Sequence, residues 1–116
     1  MPMAKYYPIL LDVRGRKCVV VGGGEVARRK ARSLRDAGAR VTVVSPQFCR
    51  GLRSERGVKL VKQRYGSAAL ADALLVVAAT DNPETNRQVA ADAATRGTLV
   101  NVVDVPSLCS FIVPAT

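Results

Sequence analysis

The sequence predicts an α/β fold: a parallel β-sheet with helices packed on both faces. Short apolar runs without polar alternation recur along the chain, as expected of strands buried on both sides. Between them lie segments whose apolar residues repeat at helical spacing. The alternation of strand and helix then makes successive strands parallel, joined by crossovers. A length of 116 residues predicts one domain spanning 1–116 with one core.

The elements follow in order. Lys17 to Val21 is an apolar run and the first strand. Glu25 to Ala37 carries Val26, Ala27, Ala31, Leu34 and Ala37 at helical spacing, with Arg28, Arg29, Arg32 and Arg35 mostly on the other face. Gly38 stops this helix where a left-handed cap is wanted. Arg40 to Val44 is the second strand, ended by Ser45-Pro46, and Pro46 to Ser54 is a candidate short helix. Val58 to Val61 is a weaker third strand, and Ser67 to Ala71 a short helical link. Ala73 to Ala79 is the most apolar strand. Thr80-Asp81-Asn82-Pro83-Glu84 opens a helix: a capping side chain, proline in the first turn, then an acid. That helix runs to about Thr95 with Val89, Ala90 and Ala93 inward, and Gly97 closes it. Thr98 to Val103 is a fifth strand, Asp104-Val105-Pro106 breaks it, and Cys109 to Val113 is expected as a sixth. The expected strand order is third, second, first, fourth, fifth, with the sixth beyond the fifth.

Between the first strand and first helix stands Gly22-Gly23-Gly24-Glu25-Val26-Ala27, a G-x-G-x-x-G/A pattern. Each position has a mechanical reason. Gly22 permits a tight turn, Gly24 lets a pyrophosphate approach the backbone, and Ala27 lets helix and strand pack closely. The free N–H groups of the first helical turn then face an anion favoured by the helix dipole. A Rossmann-like dinucleotide-binding fold follows, with Gly22, Gly23, Gly24, Glu25 and Val26 around the cofactor. The Glu25 carboxylate suits a helix N-terminus but would repel a pyrophosphate, so its side chain is expected to point away. The pattern usually continues with an Asp or Glu at the end of the second strand, bonding the adenosine ribose. Here Ser45, Pro46 and Gln47 stand there, and Ser45 can bond a 2′-hydroxyl. Without an acid a 2′-phosphate is not repelled, so the residues do not choose between NAD and NADP.

Composition narrows the function classes. Eighteen Lys and Arg against nine Asp and Glu give a net charge of +9, a field that attracts anions. Aromatics are only 4%, and no nucleic-acid recognition pattern is present, so a nucleic-acid partner is not expected. The apolar runs are far shorter than the ~20 residues of a membrane span, and Met1 to Tyr7 has no basic segment leading into an apolar one. The expectation is a cytoplasmic protein without a membrane partner. Cys18, Cys49 and Cys109 lack metal-ligand spacing and there is no histidine, so no metal-binding residues and no serine–histidine triad are expected.

Three stretches carry a resemblance. They are "LDVRGRKCVVVGGGEVARRKARSLRDAGARVTVVSP", "LLVVAATDNPETNRQVAADA" and "LVNVVDVPSLCSFIVPA". Together, from about Tyr7 to Ala115, they resemble the siroheme synthase N-terminal domain, the precorrin-2 dehydrogenase and sirohydrochlorin ferrochelatase family. The resemblance implies oxidation of precorrin-2 to sirohydrochlorin with NAD as hydride acceptor, in siroheme or cobalamin synthesis. In some members the same site then inserts ferrous iron, a substrate there. It also implies that Asp104 matches the family's functional aspartate. Asp104 directly follows the fifth strand, and ligands of open α/β sheets sit beyond the carboxyl ends of the strands. A carboxylate there could take the proton that leaves with the hydride, or orient the ring. Thr80 shares that rim, and with Asn101, from the Asn101-Val102-Val103-Asp104 motif, completes the expected cofactor set. The tetrapyrrole's carboxylates give the positive charge a use. Family members continue past the position of Thr116 with dimerisation and helical regions that help form the tetrapyrrole site. The chain therefore looks like the N-terminal part of a longer protein, expected to be a homodimer, and the piece alone is expected to have little activity. The competing reading is a nucleotide-sensing regulatory module without catalysis, which usually carries the acid missing after the second strand.

Overall fold

A computed structural model describes residues 6–114. Residues 1–5, which begin the segment read above as carrying no secretory signal, lie outside them, as do residues 115–116. Five strands form one sheet: β1 (Lys17–Val21), β2 (Arg40–Ser45), β3 (Val58–Lys62), β4 (Leu75–Ala78) and β5 (Leu99–Val102). Their order is β3-β2-β1-β4-β5, and every pairing is parallel. The helices are α1 (Glu25–Asp36), the single turn α2 (Arg50–Arg53) and α3 (Pro83–Arg96). Short 3-10 turns occupy Ser67–Leu70 and Pro106–Leu108. No helix among the described residues is long and apolar enough to cross a membrane.

The central strand explains the lack of alternation. Cys18 and Val20 point into one core with Ala27 and Ala31 of α1. Val19 and Val21 point into the other with Val89, Ala90 and Ala93 of α3 and Leu70 of the 3-10 turn. Both faces of β1 are sealed, and a fully buried valine contributes ~1.5–3 kcal/mol over an exposed one. The two clusters set α1 and α3 on opposite faces of the sheet. Gly38, at φ +95°, turns the chain out of α1, and its N–H donates to the Arg35 carbonyl at 2.9 Å.

The expected sixth strand is absent. The chain after β5 enters a turn through Asp104, at φ +64°, and then the 3-10 turn. Within 109–113 the one backbone N–H that pairs with the β5 backbone is that of Ser110, donating to Val100 O at 2.8 Å. The outward N–H groups of Val100 and Val102 donate to side chains instead: to Ser110 Oγ at 2.8 Å and to Cys109 Sγ at 3.1 Å. The β5 edge is thus closed by side chains, a covering that leaves no ladder for another strand. The opposite edge, β3, carries Lys59 and Lys62 exposed, which also discourages pairing. The helix expected over Pro46 to Ser54 shrinks to Arg50–Arg53. The residues before it are held as a loop by the Cys49 N–H, which donates to the Gly23 carbonyl at 2.7 Å.

Three of the arginines expected on the solvent face of α1, Arg28, Arg32 and Arg35, pair with Glu55, Arg32 more loosely at 3.7 Å. Arg28 Nε lies 3.0 Å from Glu55 Oε2 and Arg35 Nη1 2.9 Å from Glu55 Oε1, and the Glu55 side chain is only 12% exposed. This fastens α1 to the α2–β3 connection. Hydrogen bonds from Arg35 and then Arg28 hold the Glu55 carboxyl below its ordinary value of 4.5. A carboxylate whose folded pKa is depressed stabilises the fold above its unfolded pKa and loses that contribution as pH falls through the folded value. Chemical denaturation of wild type and Glu55→Gln near neutral pH should therefore show the wild type more stable. The gap should close on acidification below the ordinary glutamate range; a gap independent of pH would contradict the pairing.

Candidate functional site

The carboxyl ends of β1, β2 and β4 and the first turns of α1 and α3 enclose a cleft of about 1190 Å³. That is at or above the usual ~300–1,000 Å³ of small-ligand pockets. Gly22, Gly23, Gly24, Glu25, Val26, Ser45, Pro46, Gln47 and Thr80 all line it. Nine residues singled out from sequence are therefore brought together.

The three glycines meet three different surroundings. Gly22 has φ +136°, and a Cβ there would stand 2.5 Å from the Ala79 carbonyl oxygen at the end of β4. A Cβ on Gly23 would run into the Gln47 carbonyl oxygen and stand 2.7 Å from Ser45 Oγ. A Cβ on Gly24 would meet nothing within 4 Å. The first two glycines let the turn sit between the ends of β2 and β4. The third faces open space in the cleft, where the sequence pattern leaves room for a pyrophosphate.

The two long helices begin differently at this cleft. Asn82 caps α3, its side-chain oxygen accepting from Glu84 N at 2.9 Å and Thr85 N at 3.3 Å. Gly24 caps α1 with no side-chain bond. The first N–H groups of α1 have no side-chain cap, and the helix dipole favours an anion there. The Glu25 carboxylate is turned to Arg28 Nη1 at 2.8 Å, in keeping with a backbone-only role at the turn.

Thr80 is held firmly. Its hydroxyl donates to Asn86 Oδ1 at 2.6 Å and accepts from Asn82 N at 3.2 Å, while Asn86 Nδ2 donates to the Thr80 carbonyl at 3.1 Å. Asn86 is buried and fixes this rim; it escaped the sequence reading because a mid-helix Asn carries no motif. Arg64, Tyr65, Phe48 and Cys49 were also missed, and they line the β2–β3 wall. Following the third strand to its carboxyl end would have found Arg64 and Tyr65. The Tyr65 hydroxyl donates to Asp92 Oδ2 at 2.7 Å, and burial, then this carboxylate, push its pKa well above the ordinary value.

Two expected site residues do not line the cleft. Asn101 is buried, and its side-chain N–H donates to the Phe111 carbonyl at 3.0 Å, so it anchors the segment after β5. Asp104 is exposed in the left-handed turn just past β5, a conformation Asp tolerates better than most residues. All three cysteines are free, and burial pushes the Cys18 thiol up. Among the described residues no group of three or more His, Cys, Asp and Glu could hold a metal ion.

A family model described as "Putative NAD(P)-binding" matches residues 9–115. The chain belongs to this NAD(P)-binding family. It is 48% identical over 111 residues to a siroheme synthase of Methylobacillus flagellatus, covering 93% of this chain and 24% of the relative. A siroheme synthase of Chromobacterium violaceum is 49% identical over 114 residues, covering 96% of this chain and 24% of the relative. One of Pseudomonas aeruginosa is 46% identical over 113 residues, covering 95% and 24%. The chain thus spans 24% of the length of these curated relatives. Among solved structures, one titled "SirC, precorrin-2 dehydrogenase" superposes with a TM-score of 0.82 at 27% identity, covering 95% of this chain and 55% of that one. The Rossmann-like fold expected from sequence and the observed sheet agree with this match.

The contrast between neighbouring glycines is testable. Gly24→Val should fold normally by circular dichroism and lose dinucleotide binding in calorimetry, because the side chain fills the open space while charge-assisted bonds of ~1.5–3 kcal/mol each are lost. Gly23→Ala should instead lower the melting temperature, because backbone must shift to admit its Cβ. Equal stability of the two variants, or unchanged affinity in Gly24→Val, would contradict this geometry.

Proposed function

We propose that this chain is the cofactor-binding unit of an NAD-dependent precorrin-2 dehydrogenase in siroheme or cobalamin synthesis. The observation that carries the reading is the uncapped start of α1 facing open space at Gly24. It lies in a chain that resembles siroheme synthases along nearly all of its length. Precorrin-2 becomes sirohydrochlorin by losing a hydride and a proton. Bound NAD supplies the hydride acceptor. The residues of this chain do the rest: the N–H groups of Gly24, Glu25 and Val26 hold the pyrophosphate, Ser45 and Gln47 meet the adenosine ribose, and Thr80 borders the nicotinamide end. The tetrapyrrole lies over the carboxyl rim of β4 and β5, where Asp104 takes the departing proton or orients the ring. The excess of Lys and Arg favours approach of this polycarboxylate.

In the longer protein the same rim serves iron insertion, with the pyrrole nitrogens as the final metal ligands and ferrous iron as substrate. That protein is a homodimer in the cytoplasm, and the tetrapyrrole site is completed by the regions that follow this domain.

Adding precorrin-2 and NAD to the longest natural form should produce sirohydrochlorin absorbance; a form that binds NAD and leaves precorrin-2 unchanged would favour a regulatory module. Asp104→Asn in that form keeps the side-chain size and the tolerance of a left-handed turn. It should lower NADH formation by at least ~100-fold in stopped-flow, the floor for a positioned acid or base, with little change in NAD affinity. A near-normal rate would reduce Asp104 to a turn residue.

A further inference from the structure

We propose that Asn86 turns Thr80 into an acceptor-only contact, so that the β4 side of the cleft takes a hydrogen-bond-donating ligand group, the carboxamide N–H of the nicotinamide. The inference rests on the dinucleotide reading above and deepens it. Asn86 lies one turn into α3 and is only 8% exposed. Its carboxamide is bonded to Thr80, a half-buried residue that lines the cleft just past β4. Two backbone groups fix which end of that carboxamide is which. The Thr80 N–H can only donate, so the atom 3.3 Å from it is Oδ1. The Thr80 carbonyl can only accept, so the atom 3.1 Å from it is Nδ2. The Thr80 hydroxyl stands 2.6 Å from that same Oδ1 and must therefore be the donor. The Asn82 carbonyl oxygen, 3.0 Å away, is a second acceptor for the same proton. Both donors of Thr80, its N–H and its O–H, are thus spent within the protein. The hydroxyl oxygen accepts from the Asn82 N–H at 3.2 Å, and what it has left is a lone pair.

The rest of this corner has the same polarity. Asn82 Oδ1 takes the N–H groups of Glu84 and Thr85 at the start of α3. Asp81 and Glu84, which also line the cleft, add carboxylates. A phosphate or a carboxylate placed here meets no donor from Thr80 and two acids beside it. The start of α1 is the opposite, with no side-chain cap and a dipole that favours an anion. The two helix starts therefore sort the ends of a dinucleotide, the anion to α1 and a donor to the β4 rim. A ribose hydroxyl turns to suit either polarity, whereas the nitrogen of a carboxamide carries donors only, so an acceptor-only contact reads it. Asn86 itself does not line the cleft. It is a positioning residue that acts through Thr80.

Calorimetry on the longest natural form tests this with NAD and two analogues. The thionicotinamide analogue keeps the amide N–H; the acetylpyridine analogue keeps the carbonyl and lacks the N–H. The wild type should bind NAD and the thionicotinamide analogue ~3–10-fold more tightly than the acetylpyridine analogue, the size of one neutral hydrogen bond. Asn86→Ala frees the Thr80 hydroxyl to donate and should bring that ratio close to one. Thr80→Val, nearly the same shape without the oxygen, should do the same, and it decides the matter where Asn86→Ala fails to fold. Thr80→Ser should retain the ratio. A merely structural role for Asn86 weakens all three dinucleotides alike and leaves the ratio unmoved. That result, or a wild type that binds the acetylpyridine analogue as tightly as NAD, would overturn this inference and leave the dinucleotide reading standing. Binding of none of the three by the folded wild type would overturn both.

Discussion

The close approach of the β1–α1 turn to the ends of two neighbouring strands governs the geometry of this site. The Ala79 carbonyl of β4's end crowds Gly22, and the Gln47 carbonyl after β2 crowds Gly23. The turn is clamped further by Gly22 N–H to Val44 O at 3.0 Å and by the Cys49 N–H to Gly23 O. With no room for a side chain at either position, the turn is fixed by backbone alone. Gly24, one residue on, is the first point free of strand backbone, and there the helix begins. Tight packing behind the turn and open space in front of it come from the same three residues.

That placement decides the electrostatics. A helix whose first N–H groups lack a side-chain cap must satisfy them with water or a ligand. α3 closes its own end with Asn82, and its first turn carries an acid, Glu84. α1 leaves its end open, and its own acid, Glu25, is drawn aside by Arg28. Arg28 in turn bonds Glu55, so the residue that removes negative charge from the turn also fastens α1 to the α2–β3 connection. Stability of the helix position and receptiveness to an anion are linked through one guanidinium.

The parts of this arrangement legible in the sequence are those set by local rules. β1 and β4 read as buried strands because both faces are sealed, which requires unbroken apolar runs. The start of α3 read correctly because Asn82-Pro83-Glu84 is a local capping signal that the structure uses as such. The tight β1–α1 turn was legible because strand-end backbone leaves no room for a side chain at Gly22 or Gly23. The segment from Cys109 to Val113 misled because composition reports burial, not which groups pair. It does lie against β5, but Ser110 Oγ and Cys109 Sγ take the place of a strand backbone. The fixed rim at Thr80 and Asn86, and the wall carrying Arg64, depend on contacts between elements distant in sequence, where no spacing rule applies. Asn101 reads as a ligand residue by its motif, yet its side chain is engaged by Phe111.

In the proposed function the Gly22–Val26 backbone is the anion-binding element of a dinucleotide cleft. An amide-resolved NMR titration with NAD tests it most directly. Saturable shifts are expected, concentrated in the N–H signals of Gly23, Gly24, Glu25 and Val26, with further shifts at Ser45, Gln47 and Thr80, while the α3 cap at Glu84 and Thr85 moves little. Shifts confined to the Asp104 turn or the β3 edge, with the amides of residues 22–26 unmoved, would contradict it.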